Sequence, residues 1–294
     1  MTYATTSERF TARQPDARLA FRLSIALIFV GGLAAASGLL APRLFRDPAM
    51  SVGNARGTGF VILFVAIPTV ITAMQLAARG SLRARIVWLG ALYYLLYNSV
   101  IFAFAVSFNS LFLLYVMALS LSVWSCVALV ARVNVSELPA RFEPRIATRG
   151  IGSYLVGIAI VFALVWLADV VPGLVANEPP AGLRGTVMLT NPVEVIDLGF
   201  TLPLTFLAGI WLWQRRPWGY LLAGTLLVML TIEGLSVATD QWFGHLADPT
   251  QPLTAVPMFA VLTLVGLVPT FLYFRAFRAF RAEDGTSPPA EESR

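Results

Sequence analysis

The stretch that decides the fold is PVEVIDLGFTLPLTFLAGIWLWQRRPWGYLLAGTLLVMLTIEGLSVATD, residues 192–240, in which two long apolar runs flank the polar turn Gln214-Arg215-Arg216-Pro217. Each run is about 20 residues long, the length that an α-helix needs to cross the hydrocarbon of a bilayer. The stretch therefore predicts a hairpin of two membrane-spanning helices, at 192–213 and 218–240.

The rest of the chain continues this alternation of apolar runs and short polar connections. Of its 294 residues, 57% are hydrophobic and 13% are charged, and the mean hydropathy is +0.75; soluble proteins average about 45–50% apolar and about 25% charged residues. We expect an all-α, polytopic transmembrane bundle of about eight spans surrounded by lipid. The other six spans are predicted at 20–40, 57–78, 85–107, 110–131, 150–172 and 253–275.

The arginines predict the orientation of these spans. All 21 basic residues are arginine, as is typical of a GC-rich bacterial or archaeal genome. With the N-terminus inside, 17 of them fall in cytoplasmic segments, and only Arg43, Arg46, Arg56 and Arg184 fall outside. The positive-inside rule then predicts a multi-pass protein of the cell (inner or plasma) membrane with both termini in the cytoplasm. The predicted organisation is a cytoplasmic segment at 1–19, a membrane domain at 20–278 and a disordered acidic tail at 279–294.

Residue usage excludes several chemistries. The absence of lysine rules out a Schiff base to a lysine amine. One cysteine, Cys126, cannot form an intrachain disulfide, and one histidine, His245, cannot supply a bis-histidine haem site. We therefore expect no cofactor. The net charge of +5 belongs to the topology-setting arginines, so no nucleic-acid partner is expected.

Polar residues also occur between the predicted spans. Asn191, Pro192 and Glu194 have the pattern of a helix start with a capping box, which predicts a structural role for both polar side chains. Asp240 and His245 fall in the predicted 240–252 outer loop. A lone histidine among loop carboxylates, without a recognised metal-binding spacing, is typical of a polar loop, so we predict no metal site.

The most informative residues are the ionisable ones inside spans. A carboxylate at membrane depth is costly unless it is paired, protonated or solvated, and it is a functional candidate by default. Asp197 and Glu233 qualify, and they are equidistant from Arg215 at the centre of the hairpin turn. We therefore expect both at one depth, about 10 Å below the outer surface.

The predicted third span adds polar residues to this layer. Asn98 falls at the same expected depth, with Tyr94 one turn earlier and Tyr97 beside it. Two interpretations remain open. The layer could bind a substrate or an ion, or its members could simply join helices, for instance through a pair between Glu233 and Asn98. No repeat is obvious in the sequence, although four successive helical hairpins are compatible with a hidden one.

Two stretches contain distinctive local motifs, which are the pair Tyr97-Asn98, the turn Phe108-Asn109, the helix start at 191–197 and the arginine-containing turn at 215–220. In these motifs the chain resembles a widespread family of uncharacterised bacterial polytopic membrane proteins. It implies a membrane bundle and no particular activity, and Glu233 is not part of the family pattern.

Three functions remain compatible with the sequence. The first is a small transporter or ion-coupled carrier with a polar site in the outer half of the bilayer, acting on a small molecule or an ion. The second is a non-catalytic component, such as a sensor, an assembly factor or a partner subunit. The third and weakest is an enzyme acting on lipid, because no nucleophile or metal set accompanies the two carboxylates. The sequence leaves protein partners and oligomeric state open.

Overall fold

The computed structural model describes residues 18–143, 147–250 and 252–277. In these ranges eight helices are long and apolar enough to cross a membrane, and the chain is therefore a multi-pass membrane protein with an all-α fold. We number them α1 (Arg18–Leu40), α2 (Ala49–Ala78), α3 (Leu82–Phe104), α4 (Phe112–Val130), α5 (Thr148–Ala176), α6 (Pro192–Trp213), α7 (Pro217–Ala247) and α8 (Ala255–Arg275). The predicted segments 1–19 and 279–294 lie, apart from Arg18 and Leu19, outside the described residues.

The predicted number of spans is confirmed, but two helix ends were wrong. Helix α2 begins at Ala49 instead of residue 57, and α7 continues to Ala247 instead of ending at residue 240. Both extensions are rich in small or polar residues, so hydropathy does not identify them. They are helical because α2 and α7 pack against each other there: a Cβ on Gly53 would lie 2.7 Å from the Gly244 Cα.

Helices α3 and α7 form the centre of the bundle. Of the 18 consecutive residues with the highest hydropathy in each helix, 61% are buried in α3 and in α7, against 11% in α5 and 6% in α8. The outer helices instead expose large apolar side chains such as Phe29, Leu174 and Phe271. Such an apolar exterior is stable in contact with lipid.

The bundle has two distinct ends. Because the number of spans is even, α1 begins and α8 finishes at one end, which we call the terminal end. The opposite or distal end carries the 41–48, 105–111, 177–191 and 248–254 connections. At the terminal end the connection after α4 places Phe142 against three rings, with centroid distances of 4.9 Å to Tyr220, 5.1 Å to Tyr273 and 4.1 Å to Phe277. We call these four residues the aromatic plug.

Helices α2 and α6 share an unusual backbone feature. Each contains one turn of π-helix, at Ile62–Ala66 in α2 and at Asp197–Thr201 in α6, and each π turn is followed after one residue by a proline, Pro68 or Pro203. A proline ring clashes with the carbonyl of the preceding turn, and the wider π turn relieves that clash.

The two π turns belong to a longer structural repeat. They are 135 residues apart, and the same offset relates the end of α2 at Ala78 to the end of α6 at Trp213, and the start of α3 at Leu82 to the start of α7 at Pro217. Even the left-handed turn residues correspond, with φ of 90° at Gly80 and 54° at Arg215. Helices α2 and α3 therefore recur as α6 and α7, and the bundle consists of two similar halves, α1–α4 and α5–α8.

Contacts between equivalent residues, which are those 135 positions apart, locate the approximate twofold rotation axis that relates the two halves. A Cβ on Gly90 of α3 would lie 2.7 Å from the carbonyl oxygen of Thr225 of α7, its own equivalent. A residue can touch its own equivalent only close to the axis that exchanges the two halves. The axis therefore passes between α3 and α7.

Candidate functional site

A cavity of about 520 Å³ opens beside this axis. It is bordered by helices α2, α3, α5, α6, α7 and α8, and at the distal end by residues of the connections, such as Asp47, Val106 and Met188. No residue of the aromatic plug borders it. The cavity therefore reaches the distal end and does not extend to the aromatic plug at the terminal end.

Most of the residues singled out by the sequence border this one cavity. These are Tyr97, Asn98, Asn191, Asp197, Glu233 and Asp240. Tyr94, Glu194 and His245 do not border it. Asp197 and Glu233, which the hairpin turn predicts at one depth, thus border the same cavity.

Glu233 on α7 is held by the central neighbouring helix. The Asn98 amide donates a hydrogen bond of 2.9 Å to Glu233 Oε2, and the same amide also reaches the Tyr94 carbonyl at 3.2 Å. Asn98 and Glu233 are 135 residues apart, so they are equivalents that meet at the axis. Glu233 is only half-buried, although α7 is among the most buried helices, because its side chain borders the cavity.

Asp197 lies at the first position of the π turn in α6 and is 8% exposed. The Trp166 indole of α5 donates a hydrogen bond of 2.8 Å to Asp197 Oδ2, and the Tyr97 hydroxyl interacts with the same carboxylate. Tyr97 and Asn98 are consecutive residues of α3, so this one helix contacts both carboxylates. Sequence reasoning missed Trp166, because an isolated tryptophan in an apolar helix gives no signal of a polar partner.

Asp240 was wrongly placed in a loop by the sequence. It lies within α7, two turns beyond Glu233, where the Gln241 amide donates to Asp240 Oδ1 at 3.1 Å and Thr58 of α2 also contacts the carboxylate. The misplacement follows from the polar sequence after residue 240, which hydropathy treats as the end of the span.

Asp47, in the connection after α1, is a further cavity carboxylate that the sequence did not indicate. Its Oδ1 accepts a hydrogen bond of 2.9 Å from the backbone N–H of Ser107. Its Oδ2 is buried and has no hydrogen-bond partner in the part of the chain that the structure describes, and the side chain lines the cavity. A loop aspartate carries no sequence signal of burial, so only the structure reveals it.

The other polar residues named by the sequence make contacts within or between helices. The Tyr94 hydroxyl and the Ser236 hydroxyl are 2.9 Å apart inside the α3–α7 contact. Asn191 caps α6, accepting from the Val193 N–H at 3.1 Å, as predicted. Glu194 is buried beside the Asn191 and Asp169 side chains. His245 lies in the last turn of α7 and not in a loop as predicted. Among the described residues no group of three potential ligands could hold a metal ion.

The charges of the cavity lining all have one sign. Four carboxylates, those of Asp47, Asp197, Glu233 and Asp240, border it, and no arginine or histidine does so among the described lining residues. Where the hydrogen-bond donors to these carboxylates are known they are neutral: an indole, amides, a hydroxyl and a backbone N–H. The described lining of the cavity therefore provides four acidic side chains and no basic side chain to pair with them.

The first half of the bundle contains a small apolar pocket of about 30 Å³ at the position equivalent to this cavity. Its lining residues Leu27, Gly31 and Ile62 stand where the large cavity has Phe162, Trp166 and Asp197. Three further lining pairs on α3 and α7 correspond in the same way: Leu95 with Leu230, Ser99 with Gly234 and Phe102 with Val237. The two halves thus hold equivalent pockets, of which only the second is large and acidic.

Fold and site together define a class of protein: a duplicated eight-helix membrane bundle with one acidic cavity. Comparison with protein-family models, with curated proteins and with solved structures finds no match to the chain. The resemblance to a family of bacterial membrane proteins accordingly stays a prediction, and function has to be inferred from the geometry of the cavity.

Proposed function

We propose that this protein is a small membrane carrier that binds a cation in the acidic cavity and exchanges it for protons. Its place would be the cytoplasmic membrane of a bacterium, with both termini inside and the distal end outside, as the arginine distribution predicts. The observation that carries the proposal is the set of cavity carboxylates without a basic residue among the described lining residues.

The charge argument is physical. Moving an ionised carboxylate out of water into a bundle core costs several kilocalories per mole, and neutral hydrogen bonds recover only part of that cost. Each cavity carboxylate therefore gains from a proton or from a bound cation. The two compete for the same oxygens, so binding a cation releases protons, which is the coupling that an exchanger needs.

The repeated architecture also favours a carrier. Many transporters consist of two structural repeats, with the substrate site at the interface between them and with irregular helices beside it. Here the Asn98–Glu233 contact joins equivalent residues of the two halves, and Asp197 starts a π turn. π turns inside α-helices are frequent at functional sites.

The aromatic plug has a role in this proposal. The cavity reaches the distal end and stops short of the plug at the opposite end. Alternating access would require α7 and α8 to separate from Phe142 while the distal end closes. The plug is thus the proposed inner gate.

Flux measurements test the proposal. The purified protein is reconstituted into vesicles loaded with a pH-sensitive dye, and Na⁺, K⁺, Ca²⁺ or organic ammonium ions are added outside. We expect proton release on addition of at least one cation, and Asp197→Asn and Glu233→Gln each to slow it by about tenfold or more, equivalent to roughly 1.4 kcal/mol or more of lost interaction. Asp169→Asn is the matched control, since Asp169 does not border the cavity.

The possible results separate the hypotheses. Proton movement that is equal in both cavity variants and in the control contradicts the carrier. Cation binding without any flux replaces the carrier with a cation-binding sensor, which is the non-catalytic alternative that the sequence leaves open.

A further inference from the structure

The walls of the cavity differ in chemistry from helix to helix. Helices α6 and α7 contribute the carboxylates Asp197, Glu233 and Asp240, which we call the acidic wall. Helices α5 and α8 contribute aromatic rings, Tyr154, Phe162, Trp166 and Phe259, which we call the aromatic wall. Ring faces attract cations and also cover apolar groups.

The size and ligand geometry of the cavity argue against a bare metal ion as its main occupant. A volume of about 520 Å³ lies within the range of roughly 300–1,000 Å³ typical of pockets for drug-sized molecules. Among the described residues no three potential ligands are close enough to hold a metal. The carboxylates are instead spread along the cavity, so one cationic head and an attached apolar body can be accommodated together.

On the side that faces lipid, the helices around this cavity are packed least tightly between α5 and α8. In the first half the equivalent helices α1 and α4 pack against each other. Of the 18 consecutive residues with the highest hydropathy in each of these two helices, 28% are buried. Helices α5 and α8 pack mainly on α6 and α7 and have few contacts with each other. The line between them, which we call the α5–α8 seam, is bridged by the Phe162 and Phe259 rings, whose centroids are 6.1 Å apart, and by Tyr154 against Gly266.

The position of the seam matters because it faces lipid. Val161, Val165 and Leu264 on the same two helices are all exposed apolar side chains. A molecule dissolved in the bilayer would therefore meet aromatic rings first and carboxylates behind them.

We propose that the ligand is an amphipathic organic cation, with one amine or quaternary ammonium head on an apolar body, and that it reaches the cavity from the bilayer through the α5–α8 seam. This inference rests on the proposed cation-binding function and names its substrate class. The head lies at the acidic wall and the body at the aromatic wall.

Binding to the protein in lipid nanodiscs tests the ligand class. The probes are phenylpropyltrimethylammonium, its uncharged tert-butyl analogue, tetramethylammonium, Na⁺ and Ca²⁺. We expect the aromatic ammonium ion to bind about tenfold or more tightly than tetramethylammonium, and Glu233→Gln to weaken it by about tenfold or more. Asp169→Asn, outside the cavity, should leave its affinity unchanged.

The outcomes distinguish this inference from the function on which it rests. Equal binding of the uncharged analogue, or binding of inorganic cations alone, overturns the amphipathic cation; in the second case the carrier proposal stands. Binding of none of the cations overturns both.

Cross-linking tests the route. In a Cys126→Ser background, Phe162→Cys with Phe259→Cys places one thiol on each side of the seam, and a bifunctional methanethiosulfonate reagent can link the two. We expect cross-linking to slow association of the aromatic ammonium ion by about tenfold or more, with recovery on reduction, and to leave tetramethylammonium, which can use the distal opening, unaffected. The Phe162→Cys variant alone, treated with the same reagent, is the control. An unchanged association rate in protein whose cross-link is complete overturns lateral access.

Discussion

At the scale of single residues, the Asn98–Glu233 pair is the contact on which the site most depends. Asn98→Ala removes the amide that donates to Glu233 Oε2 at 2.9 Å and leaves a carboxyl without that partner in the centre of the bundle. We expect the free energy of unfolding to fall by about 1–3 kcal/mol, because the half-buried Glu233 carboxyl then loses a hydrogen bond that offsets part of its desolvation penalty. Thermal denaturation in detergent, followed by circular dichroism, measures the effect.

The control for this prediction is Asn134→Ala. Asn134 also donates to a glutamate, Glu137 Oε1, but that pair is exposed and solvated. We expect no resolvable change there. An Asn98→Ala protein as stable as the Asn134→Ala protein contradicts the importance of the central pair.

Sequence reasoning found part of the site and missed the rest for identifiable reasons. Asp197, Glu233 and Asn98 stood out because charged or amide groups in apolar runs are rare. Asp240 was assigned to a loop and Asp47 was missed, because both lie in or beside a polar segment, where a carboxylate is ordinary. Asp240 borders the cavity because α7 continues along α2, and Asp47 does so because it bonds to the backbone of Ser107; no local pattern reveals either contact.

At the scale of helices, the α2–α7 crossing requires glycine. A Cβ on Gly57 would come within 2.8 Å of the Asp240 backbone N and the Thr239 carbonyl oxygen, and neither is a flexible side chain that could move away. We expect Gly57→Ala to lower the free energy of unfolding by about 1–3 kcal/mol through overpacking. It should also weaken cation binding, because it displaces α7 at Asp240.

Gly157→Ala provides the comparison, since nothing lies within 4 Å of a Cβ on Gly157 in α5. Alanine has the higher helix propensity, so the same assay should show unchanged or slightly increased stability. If both alanine variants melt alike, α2 and α7 do not cross as described.

The α2–α7 crossing also explains which helix ends could be predicted from the sequence and which could not. The ends at Leu40, Ala78 and Trp213 were predicted correctly, because turn residues or polar segments follow the apolar run directly. The start of α2 and the end of α7 were not. Helix–helix packing through Gly53 and Gly57 extends them beyond the apolar part of the sequence.

At the scale of the whole molecule, the arginine distribution makes a prediction about topology. In a Cys126→Ser background we introduce either Ser136→Cys, on the exposed connection after α4, or Thr190→Cys, on the exposed connection before α6. A membrane-impermeant maleimide should label Thr190→Cys in intact cells and Ser136→Cys only after permeabilisation, because positively charged connections stay in the cytoplasm.

The Cys126→Ser protein without a new cysteine gives the background of this measurement. The reverse labelling pattern would place the termini outside and the acidic cavity open to the cytoplasm. Equal labelling at both positions in intact cells would contradict a single orientation.

The number of spans and the fold class were predictable from hydropathy alone, whereas the internal repeat was not. The repeated helices α2–α3 and α6–α7 share Pro68 with Pro203 but few other identical residues, and α7 is eight residues longer than α3. What the halves preserve is where helices end, where the π turn falls and which positions touch at the axis. Many different sequences can satisfy these properties, so the repeat is recognised only in the three-dimensional structure.

The division into four spans and four spans has a consequence for the origin of the chain. A unit with an even number of spans enters the membrane in the same orientation each time it is translated, so two copies of one ancestral four-helix protein could pair side by side about a twofold axis. Fusion of their genes needs only the connection between α4 and α5. After such a fusion each copy is free to diverge. The second half of the present chain holds a wide, acidic pocket, whereas Leu27, Ile62 and their neighbours line only a small apolar one in the first half. This asymmetry is what the specialisation of one site in a fused homodimer would produce.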